Sequence, residues 1–182
     1  MKKCLLLLLT LIYFNNNIYA QQKSREIVYI APIYSSYDLT NGVGGEIGLY
    51  HFFNDDFSLN SNIKYSKGIG KSYGSQSIYE KTLQANINIF YSLLNNSNIF
   101  DIKFGVGTGF VHGNVKSFVA YYNNEYFFDK FQYNTVSLNL PIGFYFKPNK
   151  LFFGIKAEYQ MFFVTRQERY NTNITLIFGY EL

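Results

Sequence analysis

The chain has 182 residues, of which 48% are hydrophobic, 20% aromatic and only 15% charged, with a net charge of +4. That length suits one domain. The charged share is well under the usual ~25%, too small for a typical soluble surface and too weak and dispersed to indicate a nucleic-acid partner.

Lys2 and Lys3 form a short positive stretch. An apolar run from Leu5 to Ile12 follows, then the polar Asn15–Asn17 and finally Ala20. This is the layout of a secretory signal peptide cleaved after Ala20. The run falls short of the roughly 20 apolar residues that a spanning helix needs. Residues 1–20 are therefore expected to be removed, and residues 21–182 to form the one domain. Removal takes away Lys2, Lys3 and the single cysteine, Cys4, and lowers the net charge to +2. A chain without cysteine has no disulfide framework and no thiolate metal site.

From Gln21 onward the dominant pattern is period two, the mark of strands. The first segment, near Ile27–Tyr37, is rich in β-formers but has no clean phase, and Pro32 is expected to mark a bulge. Val43–Phe53 sets Ile47, Leu49 and Phe53 against Gly44, Glu46 and Gly48. Phe57–Ser66 sets Leu59, Ile63 and Tyr65 against Asn60, Asn62 and Lys64, and Leu83–Tyr91 sets Ile87 and Ile89 against Asn86 and Asn88. Phe100–Phe110 alternates Ile102, Phe104 and Val106 with Asp101, Lys103 and Gly105. Val136–Phe146 alternates Leu138, Leu140 and Ile142 with Ser137, Asn139 and Pro141. Leu151–Phe163 sets Ile155, Ala157 and Tyr159 against Lys156, Glu158 and Gln160, and Asn171–Leu182 sets Ile174, Leu176 and Phe178 against Asn173, Thr175 and Gly179.

These eight segments mostly have the 9–11 residues that cross a bilayer at a tilt. Tight polar connections at Asn54–Asp56, Asn95–Asn98 and Lys147–Lys150 alternate with longer ones at Asp38–Gly42, Gly68–Ser77, Gly113–Lys130 and Thr165–Tyr170. Short periplasmic turns alternating with longer extracellular loops would give this pattern. Both termini then lie on the periplasmic side.

The character of the two faces separates a membrane barrel from a soluble one. On strands two to eight the apolar face carries no Asp, Glu, Lys or Arg at the alternating positions. Lipid demands this, since a Lys or Arg there costs roughly 2–4 kcal/mol at the midplane. The other face is mostly Asn, Ser, Gln and Gly, with Glu46, Lys64, Asp101, Lys103, Lys156 and Glu158 as its charges. Small polar residues suit a narrow interior. The six charges are expected to pair within it, because an unpaired buried charge is expensive. Among Tyr50, Tyr65, Tyr91, Tyr145, Tyr159 and Tyr180, some are expected in aromatic girdles at the membrane interfaces. The reading is an all-β fold: an eight-stranded antiparallel up-and-down transmembrane β-barrel.

With this architecture and its final amphipathic strand, Ile174-Thr-Leu-Ile-Phe-Gly-Tyr-Glu-Leu182, the chain resembles the small outer-membrane barrels of the OmpA/OmpX type. The resemblance implies a terminal strand ending in an aromatic residue read by the insertion machinery. Here Tyr180 stands two residues before the terminal Leu182. The resemblance also implies a barrel without a periplasmic peptidoglycan-binding domain, because the chain stops at the barrel. Richness in Asn, Ile, Lys and Tyr looks like an outer-membrane protein from the Bacteroidetes.

Catalysis is not expected. His51 and His112 lie on the nominal outer face near strand ends. A lipid-deacylating barrel would need a serine two residues from a histidine, plus a carboxylate; His51 is followed by Phe52 and Phe53, and His112 by Gly113 and Asn114, so neither fits. Two distant histidines and no mature cysteine give no metal spacing, and no cofactor is expected. Gly105-Val-Gly107-Thr-Gly109 lies within a strand and does not open a helix, so it is read as room inside the barrel.

The connection Gly113–Lys130 is rich in aromatics, and Phe118, Tyr121, Tyr122, Tyr126 and Phe127 are candidate interaction residues. A hairpin turning around Asn123-Asn124, with these aromatics paired across it, is compatible with that role. The expected function is structural or surface-interacting through extracellular loops; the alternative is a small pore or transporter. The expected partners are outer-membrane lipid and an extracellular protein or surface ligand. The chain is expected to act as a monomer.

Overall fold

The computed structural model describes residues 25–37, 40–71, 77–94, 99–122, 125–164 and 167–182, with the backbone alone at 71, 77, 118–122, 125–128, 164, 167 and 168. The expected signal segment lies outside the described residues. Eight strands follow one another: β1 (Arg25–Tyr37), β2 (Thr40–Phe52), β3 (Phe57–Lys71), β4 (Ser77–Ser92), β5 (Phe100–Tyr122), β6 (Glu125–Phe146), β7 (Leu151–Val164) and β8 (Gln167–Glu181). Each pairs antiparallel with the next, and β8 returns to β1, closing the barrel. Closure leaves no sheet edge within the wall, which a lipid-embedded sheet requires.

Alternation sets the two sides of the wall. Ile47, Ile63, Ile87, Val106, Ile142, Ile155 and Leu176 point outward and are exposed. Asn60, Asn88, Asn139, Lys156 and Thr175 point inward and are fully buried. The barrel is thus apolar outside and polar inside, the inverse of a soluble one.

β1 does have a clean phase. Ile27, Tyr29, Ala31, Ile33, Ser35 and Tyr37 are buried, while Val28, Ile30, Pro32 and Tyr34 are exposed. The inward row is itself largely apolar, so no contrast of polarity reveals the phase. Pro32 makes no bulge. The β1–β8 register is the same on both sides of it, from Ile30↔Phe178 to Ile33↔Thr175, and only the pairing between these positions lapses. Pro141 sits in a similar lapse of the β5–β6 ladder, between Phe104↔Ile142 and Gly107↔Asn139. A residue without an N–H is tolerated where no ladder bond is called for.

At one end the β2–β3 and β6–β7 connections are true turns, while Asn95–Asn98 lies outside the described residues. The side chain of Asn54 accepts from the backbone N–H groups of Asp56 (2.9 Å) and Phe57 (2.7 Å), closing a tight Asx turn. Asn149 takes φ 59° in the β6–β7 turn, a left-handed conformation that Asn tolerates.

At the other end the expected long loops are mostly strand. Residues 113–122 and 125–130 belong to β5 and β6, residues 68–71 to β3, and residues 167–170 to β8. The hydrophobic period of the sequence fades there, but the ladder bonds do not need it. β5 and β6 reach 23 and 22 residues, with a bulge between Phe118 and Ala120. β6 pairs with β7 only from Ser137 onward. Among the described residues its stretch Glu125–Val136 therefore pairs on the β5 side alone.

Candidate functional site

The interior is built in tiers. At the turn end, Lys103 and Lys147 both reach Asp101 at 3.0 Å, and Lys103 also donates to the Ser92 hydroxyl. The two ammonium groups stand over the Phe52 ring, 4.9 and 5.2 Å from its centroid, within cation–π range.

Next comes an aromatic tier of Tyr29, Tyr50, Phe90, Tyr145 and Phe152. The Tyr50 and Tyr145 hydroxyls hydrogen-bond at 2.8 Å, and Tyr145 stacks on Phe152 at 5.0 Å. Tyr50 and Tyr145 were candidates for a lipid-facing girdle; both are instead fully buried in the lumen. Their strand phase explains the placement. Tyr50 continues the inward row of Glu46 and Gly48, and Tyr145 continues that of Asn139, Pro141 and Gly143. Tyr65, Tyr91, Tyr159 and Tyr180 do face outward.

Four charges cross the middle. Lys156 donates to Glu46 at 2.5 Å, Lys64 lies 3.7 Å from the same carboxylate, and Lys64 also pairs with Glu158. Glu46 and Lys64 are register partners on β2 and β3, while Lys156 and Glu158 are two residues apart on β7. The chain of alternating sign therefore spans the lumen between distant strands and is neutral as a whole. The Tyr29 hydroxyl adds a hydrogen bond to Glu46.

An amide relay runs round the wall beside these charges. Asn60 donates to the Tyr29 hydroxyl (3.0 Å), Asn62 to Asn60 (2.7 Å), Asn86 to Asn62 (3.0 Å) and Asn139 to Asn86 (3.1 Å). Gln160 donates to Asn139 and Asn171 to Gln160, each at 3.0 Å. The step from Asn86 on β4 to Asn139 on β6 passes over β5. A Cβ on Gly109 would lie 1.9 Å from the Asn86 side-chain oxygen, and one on Gly107 2.0 Å from that of Asn88. The glycine run of β5 is what lets its two neighbours meet.

The loop-end mouth is closed by Tyr37, Val111, Tyr133 and Phe162. Above them Glu80 accepts from Tyr133 (2.9 Å), Thr40 (3.1 Å) and Arg169 (3.0 Å). Glu80 and Arg169 belong to stretches read from sequence as loop, or as adjoining loop, so this cluster was not foreseen. Counting phase back from Thr82 and Gln84 would have turned Glu80 inward.

Thus Glu46, Lys64, Asp101, Lys103, Lys156 and Glu158 are all buried inside the barrel, in two groups at different heights. Phe118, Tyr121, Tyr122, Tyr126 and Phe127 lie in the extended β5–β6 hairpin, where the backbone pairs Tyr121 with Tyr126 and Ala120 with Phe127. Their side chains lie outside the described residues. His51 meets Glu26 at 3.2 Å and His112 meets Asn134 at 2.8 Å. Among the described residues no three His, Cys, Asp or Glu side chains gather as a metal site would require.

No protein-family model matches the sequence, and no curated protein matches it. Solved structures do. The attachment invasion locus protein Ail of Yersinia pestis, in complex with the heparin analogue sucrose octasulfate, is 14% identical with a TM-score of 0.61, covering 88% of this chain and 100% of Ail. A major outer membrane protein from Thermus thermophilus is 9% identical with a TM-score of 0.67, over 88% and 100%. The outer membrane protein OprG from Pseudomonas aeruginosa is 10% identical with a TM-score of 0.60, over 87% and 95%. At such identities the likeness is one of fold: the chain has the architecture of the small eight-stranded outer-membrane β-barrels.

Proposed function

We propose that the chain is an exported, monomeric protein of a Gram-negative outer membrane, without catalytic activity, acting at the cell surface through its loop end. The observation that carries this reading is the β5–β6 hairpin. It rises past its neighbours, and among the described residues Glu125–Val136 pairs on the β5 side alone. Open strand edges and aromatic hairpins are what extended partners add to. The composition supports a Bacteroidetes source. The fold likeness to Ail, whose structure holds a heparin analogue, is compatible with a surface-ligand role.

The pore alternative is weaker. Side chains occupy the lumen in successive tiers, and the chain from Lys156 to Glu158 crosses it. In planar bilayers the purified protein is expected to give no discrete conductance steps. Steps that vanish on filling the lumen further would favour the pore.

The surface reading has its own test. An epitope placed between Tyr122 and Glu125 should be labelled on intact cells, and the protein should run in the outer-membrane fraction as a heat-modifiable band. Labelling only after permeabilisation would reverse the orientation and end the proposal.

A further inference from the structure

At three heights inside the barrel an aromatic ring and a carboxylate share a cation. Midway along the lumen the Tyr29 hydroxyl donates to Glu46, while Lys156 meets that carboxylate at 2.5 Å and stands 5.9 Å from the centre of the Tyr29 ring. At the turn end Lys103 and Lys147 reach Asp101 and stand over the Phe52 ring. At the loop-end mouth Arg169 meets Glu80 at 3.0 Å and lies 5.2 Å from the centre of the Tyr133 ring. One physical reason serves all three. The face of an aromatic ring is the negative part of its quadrupole, and an adjacent carboxylate adds a full charge and hydrogen-bond acceptors, so both groups hold the same cation.

A fourth such pair stands further out on the same face of β6. Tyr133 and Thr135 point inward and are buried, and residues two apart on a strand share a face. Phe131 and Asp129 therefore turn to the inner side of the β5–β6 hairpin. Phe131 stacks on Tyr133 with ring centres 6.0 Å apart, yet it is 51% exposed. Asp129 is exposed as well, and the register sets it opposite Ser117 and Phe131 opposite Val115. Val115 packs against the residues that close the mouth, so the apolar floor continues up the inner side of the hairpin. Among the described residues no cation reaches Asp129 or Phe131. Lys116 and Lys130 alternate onto the outer side. The inward charges of the loop end among the described residues are Glu80, Arg169 and Asp129, and the first two pair with each other. The inner side of the hairpin thus presents an open ring face beside a carboxylate with one net negative charge.

We propose that Asp129 and Phe131 form a docking site for a basic side chain, arginine above all, carried by an extracellular protein. The site deepens the surface reading above and rests on it. A guanidinium on the open face of Phe131 can direct its N–H donors to Asp129, as Arg169 does at the mouth with Tyr133 and Glu80. The Ser117 hydroxyl, across the ladder from Asp129, offers a further acceptor.

The test uses the purified protein folded in zwitterionic micelles, with the heat-shift gel reporting folding. The probes are acetyl-arginine amide and its neutral counterpart, acetyl-citrulline amide, and binding is read from backbone amide shifts by NMR. Arginine is expected to move Asp129 and Phe131 together with their register partners, and citrulline to leave them in place. D129N and F131L should each weaken arginine binding by roughly twofold to fivefold, the scale of one exposed cation–π or ion-pair contact. F131Y should keep it. Both side chains are exposed, so the variants are expected to fold as the wild type does. Equal binding of the two probes, or of arginine to the wild type and D129N, overturns the site and leaves the surface reading intact. Arginine binding that D129N weakens, with an epitope between Tyr122 and Glu125 labelled only after permeabilisation, overturns the surface reading and the extracellular partner with it.

Discussion

Replacing Lys156 with Met is expected to destabilise the barrel by about 3–5 kcal/mol, the usual cost of breaking a buried ion pair from one side. Lys156 is fully buried and donates to Glu46 at 2.5 Å. Met keeps much of the volume and removes the charge. Glu46 would then share Lys64, 3.7 Å away, with Glu158, and the crossing chain would carry a net negative charge away from water. Removing the partner charge as well, in E46Q/K156M, should recover most of the loss. The amide can still accept from Tyr29, and no unpaired ion remains. The coupling between the two positions should fall in the range of about 0.5–3 kcal/mol found for residues in one network. Urea unfolding in lipid vesicles, followed by the heat-shift gel, measures all three variants. A K156M barrel within about 1 kcal/mol of wild type would mean that water solvates these charges and that the network does not hold the wall together.

The same chain bears on function. It ties β2 and β3 to β7 through the lumen, across strands that share no ladder. A barrel braced in this way presents a rigid base for whatever rises from it. The hairpin of β5 and β6 stands on that base, and its register is set where Asn139, Ser137 and Tyr133 face the interior.

Most of this was legible in the sequence because a transmembrane strand is written on two faces at once. Where lipid faced one side and a polar lumen the other, as along Leu83–Tyr91, every residue declared its side. Legibility failed in three circumstances. In β1 the inward row of Ile27, Tyr29, Ala31 and Ile33 is itself apolar, so alternation carries no contrast. At the lumen ends the inward row becomes aromatic, and Tyr50 and Tyr145 read as girdle residues although their phase places them inside. In residues 113–122 apolar and polar residues no longer alternate, and the strand continues on its ladder bonds to β6. The interior charges could be listed from phase, but their partners could not. Pairing Lys64 with Glu158 depends on which strands oppose across the lumen, and only the closed barrel fixes that.

Gly113→Ala should cost about 1–3 kcal/mol, the range for overpacking a filled site, although it adds a single methyl group. A Cβ at Gly113 would fall 2.0 Å from Cζ of Tyr133 and 2.2 Å from its Cε1. The tyrosine ring lies against the glycine on the neighbouring strand, where the register pairs the two residues. Space must come from the ring, and the ring is not free to give it. Its hydroxyl donates to Glu80 at 2.9 Å, its face meets the Arg169 guanidinium at 5.2 Å, and it packs near Phe162. Displacing it would take a donor from a buried carboxylate and open the loop-end mouth. Gly45→Ala is the matched control, because the nearest atom to a Cβ there is 3.9 Å away. It should be neutral, or slightly stabilising through the lost freedom of the unfolded chain. Combining Gly113→Ala with Tyr133→Leu should recover part of the packing cost while leaving Glu80 one donor short, so the double variant should sit between wild type and a barrel with an open mouth. Unfolding midpoints and near-ultraviolet tyrosine dichroism distinguish these cases. Equal midpoints for Gly113→Ala and Gly45→Ala would show that the ring moves aside at no cost and that the mouth is not closed by Tyr133.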